Sequence, residues 1–142
     1  MRNSSLLVLF LSVLITLFGC ATKYQPMGFA GGYSGVQLAE NSFEVTFRGN
    51  GYTSHETVRK SALYRCAELT IEHGYDYYVI VEGVKDSKKM IVQSGDVYQQ
   101  VEKPRETLRI KMHHGEVPED NPNAFDAEYI LQSIGPQLRI KE

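Results

Sequence analysis

The sequence predicts an α+β domain, in which an antiparallel sheet of about four or five strands has one long helix packed on a face and a short C-terminal helix. Between Phe43 and Phe47 apolar and polar residues alternate, which indicates a half-buried strand. From about Ser54 to His73 apolar residues recur at helical spacing. Residues 77–81 are apolar on both faces, as in the middle of a sheet. A chain of 142 residues fits one such domain, with the order β-β-α-β-β-β-α.

The first nineteen residues have the pattern of a secretory signal peptide. A short, weakly positive start that contains Arg2 precedes an apolar segment over residues 6–17. This segment is short for a membrane-spanning helix. We therefore expect residues 1–19 to be removed, and an uncleaved anchor helix is the alternative.

The end of this segment matches a bacterial lipobox, the motif read by the lipoprotein signal peptidase. Leu17, Gly19 and Cys20 supply its aliphatic residue, its small residue and its cysteine, whereas Phe18 is larger than usual. This match predicts that Cys20 becomes the acylated first residue of the mature chain. Several acyl chains on one residue would give stable anchoring. Ala21 is not the aspartate that usually signals inner-membrane retention, so we expect an outer-membrane location facing the periplasm.

Beyond the signal, the sequence predicts a flexible tether over residues 20–32 and a single domain over residues 33–142. The other cysteine, Cys66, has no disulfide partner once Cys20 carries lipid. It falls on the apolar stripe of the long helix with Val58 and Leu69, so we expect it to be buried as a small hydrophobic residue.

Turn and capping residues set the expected bounds of the elements. A turn over residues 39–42 joins the first strand, residues 33–38, to the second. Thr53 and Glu56 form a capping box at the start of the long helix, and Gly74 ends it. The remaining elements are expected to be a charged loop over 83–88, a strand over 89–101, a turn at Pro104, a strand over 107–112, an acidic loop over 115–123 and a helix over 124–134 capped by Asn123.

The residues that could carry chemistry favour no catalytic or metal site. His113 and His114 are adjacent on a predicted strand, so their side chains point to opposite faces and cannot easily share a metal. His55 and His73 are about five helical turns apart. No Gly-x-Ser-x-Gly motif of a hydrolase occurs. We expect no metal and no cofactor.

Two clusters are candidate binding surfaces. Tyrosines can stack on sugar rings or anchor a partner protein, and Tyr52, Tyr75, Tyr77 and Tyr78 fall around the two ends of the long helix. Packing of these rings into a small core is the alternative. A basic loop with Lys85, Lys88 and Lys89 could contact phosphate headgroups or anionic polymers, and a solvated turn is its alternative.

Several segments resemble, in order, a family of small Gram-negative outer-membrane lipoproteins that has no assigned activity. These segments are Gly31-Gly32-Tyr33-Ser34, Phe47-Arg48-Gly49-Asn50-Gly51-Tyr52-Thr53, Ala67-Glu68-Leu69-Thr70, Gly74-Tyr75-Asp76-Tyr77-Tyr78-Val79-Ile80 and Phe125-Asp126-Ala127-Glu128. The resemblance implies lipidation and a single domain, and it implies no activity.

These observations favour a non-catalytic, lipid-anchored lipoprotein that serves as a binding or envelope-assembly accessory. The expected partners are the membrane, through the lipid on Cys20, and another envelope protein or a cell-wall polymer. A net charge of −2 does not favour nucleic acid as a partner. The alternative is an envelope hydrolase or transferase that acts on cell-wall material.

Overall fold

The structure, a computed structural model, describes residues 20–139, so the predicted signal peptide, including Leu17 and Gly19 of the lipobox, lies outside the described residues. The elements in chain order are β1 (Gly32–Ala39), β2 (Ser42–Arg48), α1 (His55–Glu72), β3 (Tyr77–Ser94), β4 (Val97–His113), β5 (Ala124–Asp126), α2 (Ala127–Ile134) and a 3₁₀ turn (Gly135–Leu138).

The five strands form one antiparallel sheet in the order β1-β2-β4-β3-β5. The predicted fold class and element order are thereby confirmed. Alternation in β2 buries Phe43, Val45 and Phe47 on one face, while Glu44 and Thr46 lie toward the other. The sheet therefore has a helix-covered face and an outer face.

The core lies between the sheet and α1, and α2 packs against α1 at its margin. Cys66 is fully buried there, as predicted. The buried apolar residues come from β2 (Phe43, Val45, Phe47), α1 (Val58, Ala62, Leu63, Cys66, Ala67, Leu69), β3 (Tyr78), β4 (Leu108, Ile110, Met112) and α2 (Ala127, Ile130, Ile134).

The prediction of a loop over residues 83–88 and of a turn at Pro104 is wrong, because β3 and β4 run through both regions as one long hairpin. Opposite charges face each other across the strands, as in Asp86 with Arg105, and such pairs stabilise a solvated ladder. The backbone carbonyl of Pro104 accepts from Gly49 on the β2 side, so its missing N–H also faces that side and costs no bond to β3.

The distal part of this hairpin, residues 88–103, is called the arm below. The β2–β4 ladder ends at the Arg48–Arg105 pair and β5 pairs only with the start of β3, so the arm is two-stranded. Its strands extend about 24 Å at about 3.4 Å per residue. Gly95, with a φ of 62°, provides the left-handed conformation in the two-residue turn at the tip.

Only the start of β3 lies inside the sheet, where β4 pairs with one of its edges and β5 with the other. A bulge follows between Ile80 and Glu82, and Val81 at this bulge is 63% exposed. The expectation of a central strand over residues 77–81 therefore holds for its first part only. Beyond the bulge, β3 is an edge strand.

Both helix starts differ from the sequence expectation. The N-cap of α1 is Ser54, which accepts from the Thr57 amide, and not Thr53. The N-cap of α2 is Asp126, and the residues before it form β5 and not the first turn of the helix. In each case a tertiary contact engages the predicted capping residue: Thr53 accepts from the Thr22 amide, and the Asn123 carbonyl accepts from the Ile80 amide at 3.0 Å.

A matched pair of leucines tests the placement of the core. Leu108→Ala should lower the free energy of unfolding by about 2–5 kcal/mol, because Leu108 is 1% exposed and its removal leaves a cavity. Leu38→Ala should change it by less than about 0.5 kcal/mol, because Leu38 is 54% exposed. Urea unfolding followed by circular dichroism measures both, and equal losses would contradict this core.

Candidate functional site

The segment after Cys20, which the sequence predicts to be a flexible tether, packs against the domain. Cys20 itself is exposed, and its carbonyl accepts from Asn50 Nδ2 at 2.9 Å. Two residues later Thr22 is buried, with its amide donating to Thr53 Oγ1 at 2.9 Å. The Thr22 hydroxyl donates to the Ala30 carbonyl at 2.7 Å and accepts from the Asn50 amide at 2.8 Å. Little free chain therefore separates Cys20 from the domain.

Tyr24 adds an aromatic attachment for the same segment. Its ring packs against Tyr33 and Tyr64, with ring centroids 4.7 and 5.0 Å away, and its hydroxyl donates to Glu68 on α1. Burial and the neighbouring Glu68 carboxylate raise the pKa of Tyr24 far above its usual value. The phenol therefore stays protonated and keeps its hydrogen bond at any physiological pH.

Cys20 lies at the root of the arm, where it lines a cavity of about 650 Å³. The cavity is also lined by the loop and helix start at residues 50–55 and by residues 99–104 of β4. Tyr52 projects here and is 67% exposed. An acyl chain on Cys20 would thus emerge beside the arm.

On the outer face of the sheet, next to this cavity, lies a basic groove of about 780 Å³. We define the basic groove by the residues Phe29, Arg48, Lys88, Met90, Lys103 and Arg105. The turn over residues 28–31 forms one wall, and Arg48 donates to the Gly28 carbonyl at 3.2 Å. Asn50 lines both the groove and the cavity that contains Cys20. The groove therefore opens near the predicted anchor.

The arm exposes apolar side chains on both of its faces. Ile91 and Tyr98 share the face that continues the helix-covered side of the sheet, as the alternation along β3 and β4 requires. The exposed apolar residues of the arm are Met90, Ile91, Val92, Val97 and Tyr98. Clustered exposed apolar residues of this kind are typical of interaction sites.

The four predicted tyrosines do not form one surface. Tyr78 is fully buried, and its hydroxyl donates to the Leu63 carbonyl at 3.1 Å. Tyr75 and Tyr77 lie at the far end of α1 from Tyr52, about 27 Å away along an 18-residue helix. Core packing, the alternative interpretation, therefore describes Tyr78, and Tyr52 alone lies beside the arm.

The paired histidines each stack on a tyrosine. The ring centroid of His113 is 5.2 Å from that of Tyr77, and that of His114 is 4.5 Å from that of Tyr75. Asp76 Oδ2 lies 3.8 Å from His114 Nδ1 and accepts from the Gly115 amide at 2.7 Å. Within residues 20–139, no three His, Cys, Asp or Glu side chains are grouped to hold a metal ion.

A third cavity, of about 400 Å³, lies between α1 and the root of the arm and contains a buried carboxylate. Glu106 is 3% exposed and pairs with Arg59. His55 also lines this cavity, and its Nε2 lies 3.2 Å from Glu102 Oε1. Arg59 is the cation that a buried carboxylate such as Glu106 needs beside it.

Sequence reasoning found part of the groove and missed the rest. It singled out Lys88 and Lys89 as a basic loop, but it did not connect them with Arg48, Lys103 and Arg105. Strand alternation assigns Arg48 and Arg105 to one face, but only the register across three strands brings Lys88 and Lys103 beside them. The sequence of residues 85–104 did not predict that register.

The reactivity of Cys66 tests its surroundings. Burial raises the pKa of the Cys66 thiol, so almost no thiolate forms near neutral pH. In native protein at pH 8, Cys66 should resist iodoacetamide and react only after unfolding in urea. A Ser94→Cys variant, at the exposed end of β3, should react at once and serves as the positive control. Mass spectrometry measures both, and rapid native labelling of Cys66 would contradict its burial.

Comparisons with known proteins and a search for membrane spans complete the description of the chain. Within residues 20–139, no helix combines the length and the apolar character needed to cross a bilayer. No family model, no curated protein and no solved structure matches the chain.

Proposed function

We propose that this protein is an outer-membrane lipoprotein, anchored through acyl chains on Cys20 and facing the periplasm, that acts without catalysis as a binding or envelope-assembly accessory. The lipobox supports the anchor, and the exposed position of Cys20 leaves its thiol accessible for acylation. Because Thr22 is already buried, the anchor holds the domain close to the membrane surface.

The arm is the observation that carries the binding role. It extends beyond the core, and its two-stranded part adds nothing to the buried set between the sheet and α1. A long exposed ribbon with apolar side chains on both faces is costly in a soluble protein, since it invites association. Its retention is explained if a partner covers it.

The chemistry of the arm favours an extended segment of another envelope protein as that partner. The outer edge of β3 beyond the bulge is unpaired within the described residues, so its backbone N–H and C=O groups can accept an added strand. Ile91 and Tyr98 offer apolar contacts beside this edge. Lys89, on the same face as Ile91, protects the free edge from self-association and favours acidic partners.

The anchor is tested by Cys20→Ser. The variant should keep residues 1–19, because the peptidase acts on an acylated cysteine. It should also be absent from the outer-membrane fraction. Intact-mass spectrometry and membrane fractionation measure the two effects. An unmodified Cys20 in the mature wild-type protein would contradict the proposal. Rescue of a deletion phenotype by Cys20→Ser would instead favour the alternative of an enzyme with a diffusible substrate.

The arm is tested by Ile91→Ser/Tyr98→Ser, which removes its apolar contacts on one face. Crosslinking in intact cells should recover the wild-type partner at least tenfold less with this variant, because apolar anchors dominate binding free energy. The matched control is Val36→Ser/Leu38→Ser, which removes exposed apolar residues from β1 at the other sheet edge. Both variants should melt like the wild type. Equal recovery from the two variants would contradict a partner site on the arm.

A further inference from the structure

Two pairs of like charges face each other across the strands that form the basic groove. Arg48 of β2 lies directly opposite Arg105 of β4, and Lys88 of β3 lies directly opposite Lys103 of β4. Like charges in directly opposed positions destabilise a sheet. The chain has 15 basic and 17 acidic residues, so a high overall content of basic residues does not explain this cluster. An anion held between the four side chains would offset their repulsion.

The described carboxylates neutralise only one of the four cations. Asp86 Oδ2 accepts from Arg105 at 2.6 Å, and this bond lowers the pKa of Asp86. Within residues 20–139, no carboxylate lies at ion-pair distance from Arg48, Lys88 or Lys103. The groove therefore keeps an excess of positive charge.

Arg109 shows the contrasting arrangement on the same outer face. It bonds to Glu44 at 2.8 Å and to Glu82 at 2.7 Å, one carboxylate from each neighbouring strand. The sheet thus provides two structural carboxylates for Arg109 and leaves three of the four groove cations without one. Arg48, Lys88 and Lys103 are therefore available to an external anion.

The groove also contains apolar groups that a small inorganic anion would not need. Phe29 is fully exposed on the turn that forms its wall, and Met90 lines the groove beside Lys88. A cationic site bordered by an exposed aromatic ring and an apolar side chain matches a molecule with a phosphate at one end and hydrocarbon at the other.

We propose that the basic groove binds the phosphate headgroup of an anionic phospholipid, with Phe29 and Met90 in contact with its acyl chains. This inference rests on the proposed function for its location, because acyl chains on Cys20 would hold the groove at the headgroup layer. Asn50 connects the two places, since it lines the groove and bonds to the Cys20 carbonyl. Bound lipid would orient the outer face to the membrane and leave Ile91 and Tyr98, on the opposite face of the arm, available to a partner.

Fluorescence of a Phe29→Trp variant tests the proposal, because the wild-type chain contains no tryptophan. The mature lipidated protein is placed in vesicles of phosphatidylcholine, with or without phosphatidylglycerol, that carry brominated acyl chains. We expect the indole to be quenched in the vesicles with phosphatidylglycerol, and the quenching to fall as salt is added. Lys88→Gln/Lys103→Gln should weaken this docking about fivefold for each lysine, or about 25-fold for the pair.

The matched control is Lys60→Gln/Arg139→Gln, which changes the net charge equally on the helix-covered side of the sheet and should dock like the parent. Equal losses in both double variants, or equal quenching without phosphatidylglycerol, would overturn the headgroup site. A response to inorganic phosphate alone as large as the response to vesicles would assign the groove to free phosphate and also overturn it.

Flotation of the protein with its vesicles reports the anchor separately. If the protein does not float with the vesicles, the proposed lipid anchor is refuted. Quenching of the same protein after vesicles are added then still tests whether the basic groove binds the headgroup. Circular dichroism melts must match for all variants, so that a loss of docking is not a loss of fold.

Discussion

The antiparallel pairing of β3 with β4 is the interaction on which the rest of the structure depends. At one end of this hairpin, β4 lies in the middle of the sheet and places Leu108, Ile110 and Met112 under α1. At the other end the same two strands leave the sheet and form the arm. One continuous register therefore fixes the core, the arm and the basic groove together. A shift of one residue would turn the buried side chains of β4 to the outer face.

A second constraint connects the chain start to the helix. The Thr22 hydroxyl, the Thr53 hydroxyl and the Asn50 amide form a small network beside the N-terminus of α1. Because the Thr53 hydroxyl is engaged in this network, Ser54 and not the predicted Thr53 caps the helix. The same network holds Cys20 at the root of the arm. Cys20, the loop over residues 49–54 and the arm thereby meet at one end of the domain.

This arrangement separates two kinds of surface by strand alternation. Side chains that alternate along β3 and β4 place Lys88 and Lys103 on the outer face, and Ile91 and Tyr98 on the other. The outer face combines positive charge with Phe29, as a membrane contact requires, whereas the opposite face and the β3 edge offer apolar and backbone contacts. Both the proposed membrane contact and the proposed partner contact follow from the same hairpin geometry.

Local patterns in the sequence determined the fold class, the element order, the long helix and the burial of Cys66, because helix and strand periods depend on neighbouring residues. They also contain the lipobox that carries the anchor proposal. Tertiary structure alone decided the length of the hairpin, because a charged, solvated ladder resembles a loop until its cross-strand pairs, such as Asp86 with Arg105, are known. It also decided the attachment of Thr22 and the assembly of the groove from Arg48, Lys88 and Lys103. These depend on contacts between residues far apart in the chain, which no local period records.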